Sequence, residues 1–143
     1  MFVEKYTLKK ETVVPVDDLF FNSPENVYKL ATKTLNLLEA AEEYVYLITL
    51  NNKNKLTGLF EVSHGTVNSS ILSPREIYIR ALLLGATNII IFHNHPSGDP
   101  EPSKEDIRVT KRLKATGELL GVELIDHIIV GNYYYSFREE QMF

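Results

Sequence analysis

Residues 88–92 read Asn88-Ile89-Ile90-Ile91-Phe92, and residues 93–106 continue His93-Asn94-His95-Pro96-Ser97-Gly98-Asp99-Pro100-Glu101-Pro102-Ser103-Lys104-Glu105-Asp106. The first run is short and apolar, the pattern of a central strand buried on both faces. A helix is predicted from about Ser103 to Thr116, closed by Gly117. The loop between them holds Pro96, Pro100, Pro102 and Gly98, so it is stiff and sharply turned. A strand that runs through such a loop into a helix belongs to a sheet with helices on its faces. In an open α/β sheet, ligands collect beyond the carboxyl ends of the strands. The loop after Phe92 lies at such an end.

Upstream, Ser73-Pro74 opens a second helix, with Glu76 completing a capping-box pattern and Gly85 in place for the C′ position. Its body, IYIRALLL, is apolar nearly all round, which predicts burial. Tyr44–Leu50 (YVYLITL) is rich in β-branched and aromatic residues and reads as a buried strand. Lys55–Val62 and Thr66–Leu72 are weaker strand patterns around a turn at His64-Gly65. Ser23 and Pro24 start a helix predicted over 24–41, with Val27, Leu30, Ala31, Thr34, Leu37, Leu38 and Ala41 at helical spacing. Residues 1–22 read as an N-terminal arm with a strand at Phe2–Leu8, and residues 23–143 as a single domain.

Downstream, Val122–Val130 is a strand, Gly131-Asn132 a hairpin signal, and Tyr133–Phe137 the returning strand. The order β-α-β-β-β-α-β-α-β-β predicts an α/β fold, and the terminal hairpin makes its sheet mixed.

Composition narrows the chemistry. The 143 residues carry 15 Lys and Arg against 19 Asp and Glu, a net charge of −4, and no cysteine. Disulfides, thiol nucleophiles and Cys-ligated metal sites are excluded, so a metal site here uses His, Asp, Glu and carbonyls. No apolar run suggests a membrane span, and MFVEKYTLKK lacks the shape of a signal peptide. The expected compartment is the cytoplasm.

His93 and His95 stand two apart at a strand end, so their imidazoles point to one side. Asp106 sits in the first turn of the next helix. Two imidazoles and a carboxylate with a fourth position open are a catalytic zinc arrangement. The same residues have a plainer reading: Ser103-x-x-Asp106 resembles a capping box, and Asp106 suits a helix N-terminus.

The stretch HNHPSGDPEPSKED resembles the JAMM signature of JAB/MPN-domain metalloproteins: H-x-H, seven residues, Ser, two residues, Asp. From His95, Pro96–Pro102 are the seven, Ser103 the Ser and Asp106 the Asp. With VNSSILSPREIY upstream and LLGVELIDHIIVG downstream, the chain is similar to the RadC branch from about Ser23 to its end. RadC-type proteins often carry an N-terminal helix-hairpin-helix region, and 143 residues are not expected to hold one.

The resemblance implies a mixed β-sheet flanked by helices, a JAB/MPN domain similar to the cytidine deaminases. Deaminase activity itself is excluded, because that zinc site needs cysteines. The resemblance also implies one Zn2+ held by His93, His95 and Asp106 with a water as fourth ligand. Ser103 would stabilise an oxyanion, and an early-strand glutamate would act as general base. Glu43 stands where RadC-like sequences place that glutamate, with Glu42 and Glu61 as alternatives.

His127 and Asp126, inside IDHIIV, read as buried strand residues, with orientation of a metal ligand as the second reading. Lys104, Arg108, Lys111 and Arg112 share one face of the third helix, with Ile107, Thr110 and Leu113 opposite. That face is a solvated surface or, second, a weak phosphate-tracking contact to DNA. The leading functional reading is a zinc-dependent hydrolase of a peptide or isopeptide bond in a protein substrate. The alternatives are a RadC-type DNA-repair accessory or DNA-binding module with a structural metal, and a non-catalytic MPN scaffold. The sequence does not fix an oligomeric state.

Overall fold

A computed structural model describes residues 1–7, 9–17, 20–65 and 72–143. One five-stranded sheet organises the chain: β1 (Glu43–Leu50), β2 (Leu56–Gly65), β3 (Asn88–Asn94), β4 (Glu123–Val130) and β5 (Tyr134–Ser136), in the order β2-β1-β3-β4-β5. Only β3 and β4 are parallel; the other neighbours are antiparallel. Helices α1 (Pro24–Lys29), α2 (Pro74–Leu83) and α3 (Lys104–Leu120) complete the α/β architecture. The predicted mixed sheet is therefore present. It puts β3, the strand that ends in His93-Asn94, at its centre.

The alternation of β3 builds two cores. Ile90 and Phe92 face Val27, Leu30, Ala31 and Leu37 on one side of the sheet. Ile89 and Ile91 face Ile77, Tyr78 and Ala81 of α2 and Val109 and Leu113 of α3 on the other. Burying a Val or Leu side chain contributes on the order of 1.5–3 kcal/mol, so both faces have a strong drive to stay covered. Period two places His93 on the α3 side and Asn94 on the α1 side.

Several local expectations are corrected. The predicted helix 24–41 is broken: α1 widens into a π turn at Leu30–Thr34, then Asn36 takes a left-handed φ of 53° before a 3₁₀ turn at Leu37–Glu39. Asn tolerates that conformation, and the break turns Leu37 into the core. No strand forms at residues 2–7, which are exposed; Leu8 lies outside the described residues. The second weak strand, at Thr66–Leu72, falls outside them but for Leu72, which is not in a strand. β2 runs through His64 instead of turning there, and His64 stacks on Tyr44 at 5.2 Å.

Ser73 makes no side-chain cap, and the Glu76 carboxylate, the other half of the predicted capping box, pairs with Arg80 at 3.0 Å instead. Helix α2 is buried on one side only, and Ile79, Leu82 and Leu83 are exposed. Helix α3 continues through Gly117 to a left-handed Gly121. Gly117 serves packing: a Cβ there would lie 2.3 Å from the Val122 carbonyl oxygen and 2.5 Å from the Tyr78 hydroxyl. On α3, Ile107 is only half-buried, and Asp106, Val109, Thr110 and Leu113 carry the inner face. Tyr134 and Tyr135 of the terminal hairpin are half-buried against their own chain. No helix among the described residues is long and apolar enough to cross a membrane.

Candidate metal centre

Four side chains converge where β3 ends. Glu43 comes from the first residue of β1, His93 from β3, His95 from the residue after β3, and Asp106 from the first turn of α3. Each offers one ligand atom within 4.8 Å of the others. His93 Nε2 lies 3.1 Å from His95 Nε2, 3.4 Å from Asp106 Oδ1 and 3.5 Å from Glu43 Oε1. His95 Nε2 lies 3.3 Å from Asp106 Oδ2. Ligand bonds of ~2.0–2.2 Å around a tetrahedral zinc put neighbouring donors ~3.3–3.6 Å apart. The donor set and these spacings fit a divalent ion.

The backbone explains the convergence. The His95 N–H donates to the Val130 carbonyl at 2.9 Å, so the loop starts pinned to β4. Gly98 takes a φ of 84°, and its carbonyl accepts the Asn132 N–H at 2.7 Å. That contact requires Gly131, where a Cβ would lie 2.3 Å from the Gly98 oxygen. The Gly131-Asn132 hairpin thus anchors the loop that returns the chain to α3.

At the start of α3 the two readings of Asp106 merge. Ser103 Oγ accepts the Asp106 N–H at 3.0 Å, and Asp106 Oδ2 accepts the Ser103 N–H at 2.8 Å. The capping box is real, and it also holds the carboxylate toward the two histidines. Burial pushes the Asp106 carboxyl up, but hydrogen bonding with His93 and His95 outweighs it and holds the group well below the usual carboxylate range. Burial pulls His95 down, while Asp106 and the Asp99 carbonyl outweigh it and leave its pKa raised.

Both imidazoles present Nε2 to the cluster and use Nδ1 elsewhere. His95 Nδ1 donates to the Asp99 carbonyl at 2.8 Å. His93 Nδ1 lies 2.8 Å from His127 Nε2, and His127 Nδ1 lies 2.6 Å from Thr110 Oγ1. His127 is fully buried and stacks on Phe137 at 4.8 Å. Burial and then the neighbouring His93 charge hold its pKa well below the ordinary histidine value. His127 is thus a core residue with both ring nitrogens partnered, one of them to His93.

Asp126 turns away from the cluster. It accepts from the Ser136 hydroxyl at 2.6 Å, the His127 N–H at 2.8 Å and the Arg138 N–H at 3.0 Å.

Of the glutamates considered, only Glu43 joins the cluster. Glu61 faces Tyr46 at 3.3 Å and His64 at 3.9 Å, and Glu42 is exposed. Sequence reasoning missed Asn94. Its side chain is buried, accepts the Tyr44 N–H at 2.7 Å and donates to the Glu42 carbonyl at 2.9 Å. The amide thus brackets Glu43. Thr110 was read only as a core-facing position; a polar residue on a buried helix face was the available signal.

The basic face of α3 is exposed as expected, but Arg108 is held by Glu105 through contacts of 2.8 and 2.5 Å.

A central β3 with a His-x-His end, capped by a Ser/Asp helix start and joined by a glutamate from β1, defines a JAB/MPN-type α/β domain. Residues 21–142 match the model of the RadC-like JAB domain, and the chain belongs to that family. It is 46% identical over 121 residues to a UPF0758 protein of Alkaliphilus metalliredigens (strain QYMF), covering 84% of this chain and 51% of the relative. A UPF0758 protein of Clostridium botulinum (strain Okra / Type B1) is 48% identical over 120 residues, covering 83% and 52%. The chain spans about half the length of the curated relatives it matches.

Proposed function

We propose that the chain is a zinc-dependent hydrolase of amide bonds, acting on a peptide or isopeptide link in a protein substrate. The observation that carries this reading is the convergence of Glu43, His93, His95 and Asp106 at one sheet end. In it, His93, His95 and Asp106 hold one Zn2+, and residues 23–143 form the working domain behind an arm at 1–22. The ion, when bound, supplies Lewis acidity and lowers the pKa of a coordinated water toward neutrality.

The chain's own residues do the rest. Glu43 accepts a proton at its carboxylate and returns it to the departing amine nitrogen. Ser103 Oγ accepts the Asp106 N–H, which leaves its O–H to donate to the carbonyl oxygen as negative charge develops. Its exposure, and the partial exposure of His95, leave one side of the cluster open to substrate.

A DNA-binding role through Lys104, Arg108, Lys111 and Arg112 ranks second, since Arg108 is committed to Glu105 and the net charge is −4. Four free phosphate contacts would give a log–log salt slope of roughly −3.6, and weak or no binding at physiological salt is expected.

The test is hydrolysis of a quenched-fluorescence peptide library by the zinc-loaded chain. The parent should cleave it, and Glu43→Gln should keep its zinc and lose cleavage. A zinc-loaded parent that cleaves nothing, or a Glu43→Gln variant as active as the parent, overturns the proposal.

A further inference from the structure

Hydrogen bonds run in a line from α3 through β4 to the metal cluster, and their polarity is fixed at one end. Thr110 Oγ1 donates its single proton to the Asp106 carbonyl at 2.6 Å, one helical turn back. Having spent that proton, the hydroxyl can only accept from its second neighbour, His127 Nδ1 at 2.6 Å. His127 therefore carries its proton on Nδ1 and presents a bare Nε2. That nitrogen lies 2.8 Å from His93 Nδ1, so it can only accept, and His93 must donate. His93 therefore carries a proton on Nδ1, which leaves Nε2, the nitrogen that faces Glu43, His95 and Asp106, as the one an ion would take.

We infer that Thr110 and His127 are positioning residues that set His93 in the metal-binding tautomer before any ion arrives. Metal-bound histidines commonly hold their other ring N–H against a carboxylate, a carbonyl or water. Here the acceptor is a second imidazole, itself aimed by a threonine. The site suits that choice. His93 is fully buried, as are Thr110 and His127, and an added buried carboxylate would bring a further charge to desolvate. Phe137 stacks on the His127 ring with planes 5° apart and holds its orientation.

The anchor also returns to the cluster. The carbonyl that receives the Thr110 proton is that of Asp106, so the relay begins and ends on proposed ligands.

The inference rests on the metal-site reading, and its tests separate the two. The first measures ring-nitrogen protonation in the metal-free chain by long-range 1H–15N correlation on histidine-labelled protein. The inference expects the His127 proton on Nδ1; a neutral His127 with its proton on Nε2 overturns it. This result needs no bound metal.

The second measures zinc affinity by competition with a chromophoric chelator, with folding of every variant checked by thermal unfolding. His127→Gln keeps a donor toward Thr110 and an acceptor toward His93, and Thr110→Ser keeps the hydroxyl. Both should bind zinc within a few-fold of the parent. Thr110→Val and His127→Leu should bind it about 10–100-fold more weakly. Equal affinity in folded Thr110→Val and His127→Leu, or equal losses in the Gln and Leu variants, overturns the inference. A parent that binds no zinc overturns the metal-site reading instead, with the tautomer result still deciding the relay.

Discussion

Asn94 receives the backbone N–H of Tyr44 on its side-chain oxygen at 2.7 Å, from a position between the two histidines of the His-x-His pair. Its amide nitrogen reaches the Glu42 carbonyl at 2.9 Å, so the residue between the histidines clamps both peptide neighbours of Glu43. The central strand thereby sets the register of the proposed base as well as of two proposed ligands.

Replacing Asn94 with Ala should leave the zinc content near that of the parent. Cleavage of the peptide library should fall, by up to about 100-fold, because a base displaced by an ångström is out of place for proton transfer. Loss of the two hydrogen bonds should also lower stability by about 1–3 kcal/mol. Chelator competition, cleavage rate and thermal unfolding check the three effects. Full activity in a folded Asn94→Ala chain would remove the clamp from the account.

Ser103 has a structural duty and a proposed chemical one, and two substitutions separate them. Ser103→Ala should cost ~1 kcal/mol through loss of the N-cap, whereas Ser103→Gly should cost only a few tenths. Neither carries a hydroxyl, so both should lose activity alike, on the order of 10²–10³-fold. Activity that follows stability instead would assign Ser103 to the cap alone.

Much of this site was legible because its signals are contiguous. His93, His95, Ser103 and Asp106 fall within fourteen residues of sequence, 93–106, and period-two alternation puts the histidines on one side. Glu43 is fifty residues from His93 and carries no local signal, so only the family resemblance proposed it. For His127, orientation of a metal ligand was the second reading, and a bulge hid which face it takes. Opposite Ile89 and Ile90 stand Leu124 and Asp126, which leaves Ile125 as an extra residue in β4. Leu124 and His127 are three apart, yet both face α3, an arrangement strict alternation forbids. The break after α1 was illegible for a similar reason: the apolar spacing is helical throughout, and one left-handed Asn36 redirects it.

Asp126 makes a pH-dependent contribution with a definite sign. Burial raises its carboxyl pKa, against the opposing effects of Ser136, Arg138 and His127. The folded chain therefore holds this proton more tightly than the unfolded chain. Its contribution to stability is full below the unfolded value and is lost as pH rises through the raised folded value. Asp126→Asn removes that loss and keeps the acceptor for the His127 and Arg138 N–H groups. At pH 7 it should unfold at no lower a temperature than the parent, while Asp126→Ala should lose ~1–3 kcal/mol. Thermal unfolding of the three proteins from pH 4 to 8 checks the sign. An Asp126→Asn chain that is less stable than the parent at pH 7 and equal to it at pH 4 would reverse it.

The central claim is that His93, His95 and Asp106 hold a metal ion. Zinc per chain, measured after loading and exhaustive dialysis on the parent beside Asp106→Ala, tests it most directly. The account predicts about one zinc per parent chain and a near-complete loss in the variant, whose fold is checked by thermal unfolding. A parent that retains no zinc, or a folded Asp106→Ala chain that retains as much, would contradict it.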